Sequence, residues 1–155
     1  IKLSNNHPNI LLSVQEMEHS KTSFRDLDFV VNINAKNESE LQRTMVYFDT
    51  YGQASAAAEY LRSKLCFAFN QAVPPIAHYH ADMSKLYKSR TMGAFKHGEI
   101  IILCATEAAG MGCDIRDISL VVQFGLPKTL CTWVQRLGRC SRDEKIRGEA
   151  ILLVE

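Results

Sequence analysis

The chain is 155 residues long, 46% of its residues are hydrophobic, and its formal net charge is +1. This length is usual for one domain, and this hydrophobic content is enough for a core without disulfides or metals. A net charge so close to zero excludes bulk attraction to a phosphate backbone or an anionic membrane, so any contact with a polyanion must be local.

The cysteines and the apolar stretches indicate a reducing, aqueous setting. The five cysteines form no Cys-x-x-Cys pair, which favours buried thiols over a disulfide framework. No stretch approaches the roughly 20 apolar residues of a membrane span, and no signal segment opens the chain. We therefore expect an intracellular protein with no membrane partner. The start at Ile1, without an initiator methionine, favours part of a longer protein.

Apolar runs of strand length alternate with longer amphipathic segments along the chain. In chain order, the pattern predicts strands at 9–14, 44–48, 76–80, 100–105, 118–124 and 150–154. It predicts helices at 23–32, 53–69, 84–98 and 129–137. The alternation indicates a single α/β domain, with a parallel sheet flanked by helices on both faces.

The predicted helix ends have recognisable capping residues. Ser23 and Asp26 have the spacing of a capping box for the first helix. Ser84 is expected to begin a later helix, and Gly98 to end it.

The segment 104–115 leaves an apolar strand and has no bulky branched side chain before Ile115. Small residues let backbone amides approach an anion, and Thr106 and Asp114 add a hydroxyl donor and a carboxylate that can bond sugar hydroxyls. The segment therefore favours nucleotide or phosphate contact. The alternative stays open that Gly110 and Gly112 only turn the chain between strands.

The segment 135–143 contains three arginines within seven positions at the end of a predicted helix. Arginine holds a phosphoryl group with a rigid, permanently charged fork, so Arg139 and Arg142 could stabilise charge on a γ-phosphate. The alternative is a solvated helix end whose cations complement the helix dipole. Since this segment follows 104–115 by one strand and one helix, we expect both at the same edge of the sheet.

Two motifs that hold nucleotides elsewhere do not occur in the sequence. There is no Gly-x-x-x-x-Gly-Lys-Ser/Thr, and the Asp143-Glu144 pair lies at the end of the arginine segment and not behind an apolar strand. The sequence can therefore offer arginines to a nucleotide without a phosphate-cradling loop or a Mg-holding acidic box of its own. His78 and His80 share one face of a strand, but no ligand at metal-binding spacing accompanies them, which favours hydrogen-bonded histidines over a metal site.

Together these segments resemble the second RecA-like domain of superfamily 2 helicases, and most of all the RecQ family of ATP-dependent DNA helicases. The similar segments occur in the family's order: Val-Tyr-Phe-Asp-Thr at 46–50, the His-Tyr-His-Ala segment within 76–83, the Gly-Met-Gly segment at 105–114, Gln-Phe-Gly-Leu-Pro at 123–127 and the arginine segment at 135–143.

The resemblance implies that residues 1–155 are the helicase C-terminal, or second motor, domain. The first RecA-like lobe and the family's zinc-binding and winged-helix regions would lie outside this chain. ATP and Mg would be bound mainly by the first lobe of the same parent protein, and the other partner would be DNA, mainly single-stranded or at a junction. A role in DNA repair and recombination, in the nucleus of a eukaryote, would follow.

The resemblance also implies roles for individual residues. Arg142 would be the arginine finger, with Arg139 beside it as a second contact. The nucleotide site would include Gly112, Asp114 and Gln135. The nucleic-acid backbone would be touched by Thr106, Thr50 and His80.

The arginine segment departs from the family pattern Gly-Arg-Ala-Gly-Arg-Asp-Gly. Cys140, Ser141 and Glu144 replace the alanine and both glycines. A second hypothesis is therefore a catalytically degenerate RecA-like module that binds nucleic acid or serves assembly. A dinucleotide-binding domain is a third, disfavoured because Gly-Met-Gly lacks the third glycine of that fingerprint.

Overall fold

The fold is built on a parallel β-sheet, seen in a computed structural model that describes residues 8–32, 34–69, 74–110, 114–143 and 145–155. Within these residues the strands are β1 Ile10–Glu16, β2 Thr44–Tyr47, β3 Ile76–Tyr79, β4 Ile102–Ala105, β5 Leu120–Phe124 and β6 Gly148–Val154. The α-helices are α1 Tyr51–Phe69, α2 Lys85–His97 and α3 Leu130–Leu137. The sheet order is β1-β6-β5-β2-β4-β3, and every described pairing is parallel.

Strand β2 shows why the sheet is buried on both faces. Its side chains alternate, so Met45 and Tyr47 join one hydrophobic cluster and Val46 joins the other. Helix α1 covers the Val46 face, for example with Leu61, whereas α2 and α3 cover the Met45 face. The predicted α/β fold, with helices on both faces of a parallel sheet, is confirmed.

Helix α2 begins and ends at the predicted residues. The Ser84 hydroxyl accepts a hydrogen bond from the Tyr87 amide at 3.2 Å. Gly98 adopts φ 81°, and its amide donates to the carbonyls of Ala94 and Phe95. Glycine reaches this left-handed conformation at low cost, which explains the stop.

The predicted helix at 23–32 is wrong. Lys21–Ser23 and Arg25–Val30 are short 3-10 helices separated by Phe24 at φ 55°. The Phe24 ring packs 5.7 Å from Phe124 in the core, and this tertiary contact outweighs local helix propensity. The expected capping box does not form, because the Asp26 carboxylate accepts the amides of Glu18 and His19 instead.

Two of the cysteines, Cys104 and Cys140, are buried as expected, whereas Cys131 is exposed. Burial raises the pKa of the Cys104 thiol to about 12. No helix in the described ranges is both long and apolar enough to cross a bilayer.

Candidate functional site

The carboxyl ends of β2, β3 and β4 meet at one edge of the sheet. Tyr47, Tyr79 and Ala105, at the ends of these strands, are register neighbours. The residues that follow them line a cavity of about 380 Å³, here called the histidine cavity. It brings together the three residues predicted to touch nucleic acid, which are Thr50, His80 and Thr106.

A second cavity of about 700 Å³, here called the arginine cavity, lies beside the first. Its lining includes Gln135, Arg139 and Arg142, three of the residues predicted for the nucleotide site. Both cavities share Glu107, Ala108, Ala81 and Arg136 in their linings. Gln135, Arg139 and Arg142 therefore occupy a concave surface that adjoins the one lined by the predicted nucleic-acid residues.

Arg142 and Asp114 form an ion pair although 28 positions separate them. The Arg142 Nη1 atom lies 2.7 Å from Asp114 Oδ1. This hydrogen bond holds the pKa of the Asp114 carboxyl below its ordinary value. The expectation that the arginine segment and the glycine-rich segment reach the same edge is confirmed. Gly112, the other predicted nucleotide residue on the glycine-rich segment, lies outside the described residues.

The turn that carries Arg142 keeps a glycine-like backbone without glycine. Ser141 adopts φ 44°, a conformation that costs a non-glycine residue of order 1–3 kcal/mol and persists only where its surroundings impose it. The surroundings do so here: the Ser141 amide donates to the Ile118 carbonyl at 2.7 Å, and the Asn9 side chain donates to the Ser141 carbonyl at 2.9 Å. The replaced glycine therefore does not prevent this turn. Glu144, the other replacement, lies outside the described residues.

Arg136 is a site residue that sequence reasoning did not single out. Its side chain is 6% exposed and pairs with Glu107 at 3.2 Å and with Asp49 at 3.5 Å. The guanidinium also lies 5.1 Å from the Tyr47 ring centroid and donates to the Gln123 side-chain oxygen. A buried cation needs such partners, because an unpaired charge in the interior is strongly destabilising.

A signal for Arg136 was present in the sequence. Trp133 and Leu137 mark the buried face of α3, and positions three apart on a helix share a face. Arg136 therefore falls on the apolar face of a predicted helix, where an arginine needs buried partners. Its partners Asp49 and Glu107 come from other segments, and helical periodicity carries no information about them.

His78 and His80 lie close together but without the expected hydrogen bonds at Nδ1. Their rings stack with centroids 5.7 Å apart and planes at 14°. Both Nδ1 atoms are buried and have no hydrogen-bond partner among the described residues. Burial, aided by nearby Arg62 and His80, lowers the pKa of His78.

Thr50 has a structural contact as well as a position on the histidine cavity. Its hydroxyl accepts a hydrogen bond from the Gln53 amide at 3.3 Å, at the start of α1. A hydroxyl that accepts in this way can still donate to another group. Thr106 is anchored through its backbone, since its amide donates to the Tyr79 carbonyl at 3.1 Å.

The arginine cavity has groups whose chemistry suits the phosphates of a nucleotide. Arg139 and Arg142 line it, and guanidinium groups suit phosphate oxygens. The Asp114 carboxylate is paired with one of these arginines and has the chemistry to accept from sugar hydroxyls. No group of three or more His, Cys, Asp or Glu side chains that could hold a metal ion occurs in the described parts of the chain.

The chain matches the helicase conserved C-terminal domain family over residues 25–144. It is 30% identical over 144 residues to the mitochondrial DEAD-box ATP-dependent RNA helicase 9 of Arabidopsis thaliana, covering 82% of this chain and 23% of that protein. It is 42% identical over 67 residues to ATP-dependent DNA helicase Q4 of Mus musculus, covering 43% of this chain and 6% of that protein.

The fold is similar to domain 2 of the DEAD-box helicase Mss116p, solved bound to an RNA duplex. The TM-score is 0.70 at 21% sequence identity, and the likeness covers 94% of this chain and 54% of the other. The predicted RecA-like fold is thereby confirmed. The chain belongs to the helicase conserved C-terminal domain family, as the second lobe of a superfamily 2 helicase. It spans less than a quarter of the length of either curated relative, and the likeness is divided between RNA and DNA helicases.

Proposed function

We propose that this domain is the second motor lobe of an ATP-dependent helicase and supplies Arg142 as the arginine finger. The observation that carries the proposal is the arginine cavity, where Arg142, Arg139 and Gln135 share one lining and Arg142 contacts Asp114. A first lobe would bind ATP with its Mg, and the closing of the two lobes would bring the γ-phosphate to this cavity. The whole protein would act inside the cell, and in the nucleus of a eukaryote.

In this proposal the arginines stabilise negative charge that develops on the γ-phosphate during hydrolysis. Arg142 exchanges part of its contact with Asp114 for phosphate oxygens, and Asp114 accepts from the ribose hydroxyls. Gln135 lines the arginine cavity one residue before the buried Arg136 and is suited to report the state of the nucleotide.

The histidine cavity is proposed as part of the nucleic-acid track, with Thr106, Thr50 and His80 facing the strand. A single strand or junction of DNA, moved 3′ to 5′ as in the RecQ family, is the proposed substrate. The Gly-Met-Gly segment and the likeness to mouse DNA helicase Q4 support DNA. RNA is a second candidate substrate, supported by the likeness to the plant DEAD-box RNA helicase.

The test is nucleic-acid-stimulated ATP hydrolysis by the full-length protein, with the Arg142→Ala variant beside it. An arginine finger contributes roughly a 10³-fold or larger acceleration, so turnover should fall by that order while nucleotide binding is retained. Arg25→Ala removes an exposed arginine outside both cavity linings and should leave turnover unchanged.

The possible outcomes separate the hypotheses. Normal ATP turnover in Arg142→Ala would contradict the assignment of Arg142 as the arginine finger. An absence of turnover in the unmodified protein would favour the degenerate scaffold, which the Cys140 and Ser141 replacements motivate. Single-stranded DNA and single-stranded RNA, offered separately, identify the substrate by which of them stimulates hydrolysis.

A further inference from the structure

An exposed tyrosine, Tyr51, lines the histidine cavity. Tyr51, the first residue of α1, is 60% exposed and lines that cavity next to Thr50. Tyrosine has an apolar ring with a polar hydroxyl, so an exposed tyrosine in a cavity lining offers a ligand both a ring face and a hydrogen bond. The resemblance to the RecQ family implies no role for Tyr51.

The Tyr51 ring is the outer end of a row of four rings. Its centroid lies 5.5 Å from the His80 ring, which stacks on His78 at 5.7 Å, and His78 lies 6.0 Å from Tyr87. The Tyr51 ring packs against His80, and the other rings of the row support His80, so the movement of the Tyr51 ring is restricted. A ring held in place loses less conformational freedom when a ligand stacks on it.

The charges of the histidine cavity allow it to bind a nucleobase beside the backbone phosphates. Asp49, Asp82 and Glu107 line it, against the basic residues Lys128 and Arg136. Arg136 is already paired with two of those carboxylates. Nucleobase amino groups can donate to the carboxylates, while the Thr50 and Thr106 hydroxyls can donate to backbone phosphate oxygens. Lys128 is exposed and can meet the backbone phosphate outside.

We propose that Tyr51, supported by His80, is a stacking platform for an unpaired nucleobase, and that the histidine cavity is a base-binding subsite. This inference rests on the proposed function and makes it more specific. A stacked base must be out of its duplex, so the platform favours single-stranded nucleic acid. Stacking tolerates any base sequence, because every base has a π-face. It adds affinity that salt does not screen, unlike the phosphate contacts.

The test measures binding of a fluorescein-labelled single strand to the full-length protein by anisotropy. The comparison is between the unmodified protein, Tyr51→Ala and Tyr51→Phe. Loss of the ring should weaken binding roughly ten-fold, with an unchanged slope of affinity against salt concentration, and Tyr51→Phe should bind as the unmodified protein does. Phe29→Ala is the control, because Phe29 is 45% exposed and is not among the described residues that line either cavity.

A second strand, identical but with its bases removed, separates stacking from other effects. The unmodified protein and Tyr51→Ala should bind this abasic strand equally, since there is no base for the ring to meet. Equal binding of the base-containing strand by both proteins would overturn the platform and leave the motor proposal standing. If the unmodified protein binds no single strand, with or without ATP, the platform and the proposed nucleic-acid track both fail. DNA and RNA strands are run in parallel.

Discussion

Arg142 donates to Asp114 at 2.7 Å, so the proposed finger and the proposed ribose-binding acid hold each other. The pKa of Asp114 is lowered chiefly by this hydrogen bond, and to a smaller extent by the charge of Arg116. We therefore expect Arg142→Ala to raise the pKa of Asp114 towards its ordinary value. Carboxyl carbon NMR shifts followed through an acid titration measure this directly.

Arg116→Ala is the matched control for that titration, because it removes a nearby positive charge but not the hydrogen bond. It should raise the pKa of Asp114 less than Arg142→Ala does. If both variants leave the titration of Asp114 unchanged, the ion pair does not persist in solution.

Arg136 is expected to be important for stability as well as for the site. Replacing it by methionine removes the buried cation and takes the Arg136 contact away from the Gln123 side-chain oxygen and the carboxylate of Asp49. The carboxylates that remain are part-exposed, so the cost is mainly that of an unsatisfied buried acceptor on Gln123, and Arg136→Met should destabilise the protein by about 1–3 kcal/mol. Urea unfolding followed by circular dichroism gives the value, and Arg25→Ala on the surface should change it by less than about 0.5 kcal/mol.

Gly148 has no room for a side chain. A Cβ atom there would lie 2.9 Å from Cβ of Ser141 and closer still to the hydroxyl oxygen of that residue. Gly148→Ala should therefore destabilise the protein by about 1–3 kcal/mol. It should also displace the turn before Arg142, and so lower ATP turnover without touching the arginine itself.

Gly93 in α2 provides the opposite case. A Cβ atom there meets nothing within 4 Å, and alanine is the better helix former by roughly 0.5–1 kcal/mol. Gly93→Ala should raise the melting temperature, whereas Gly148→Ala should lower it. A stable Gly148→Ala variant with normal turnover would show that the turn at Ser141 is not tightly packed against β6.

His78 makes stability depend on pH. Burial, Arg62 and His80 lower its pKa below the ordinary value of 6.5. The unfolded chain therefore takes up a proton near pH 6.5, and the folded chain does so only at lower pH. The contribution of His78 to the free energy of unfolding is therefore fully present above about pH 6.5. It is lost as the pH falls from there through the lower pKa of the folded state.

His78→Asn should reduce this loss. The urea midpoint is compared at about pH 7.5 and about pH 5.5, on either side of the ordinary histidine pKa. Between these two pH values, the urea midpoint of the variant should fall less than that of the unmodified protein. His97→Asn changes an exposed histidine at the end of α2 and should keep the full loss, while an identical loss in His78→Asn would exclude His78 as the cause.

The sheet and its edges were accessible from the sequence because their signals are local. Apolar runs marked the six strands, and Ser84 and Gly98 marked the ends of α2. The meeting of Asp114 with the arginine segment also followed, since carboxyl ends of parallel strands share one edge.

Other features were not accessible because they depend on distant residues. Phe24 breaks the expected helix through its packing against Phe124, which no local pattern reveals. The partners of Arg136 come from two other segments, and the exposure of Tyr51 depends on how α1 begins beside β3. Helical or strand periodicity describes one element at a time and contains none of these relationships.

Arg136 borders both cavities, and its buried pairs leave it little freedom to move. A small molecule bound in either cavity would contact Arg136, which also lines the other cavity. We therefore expect inhibitors of this domain to show mixed kinetics: a compound chosen for blocking strand binding would also change the apparent affinity for ATP, even though the two ligands never touch.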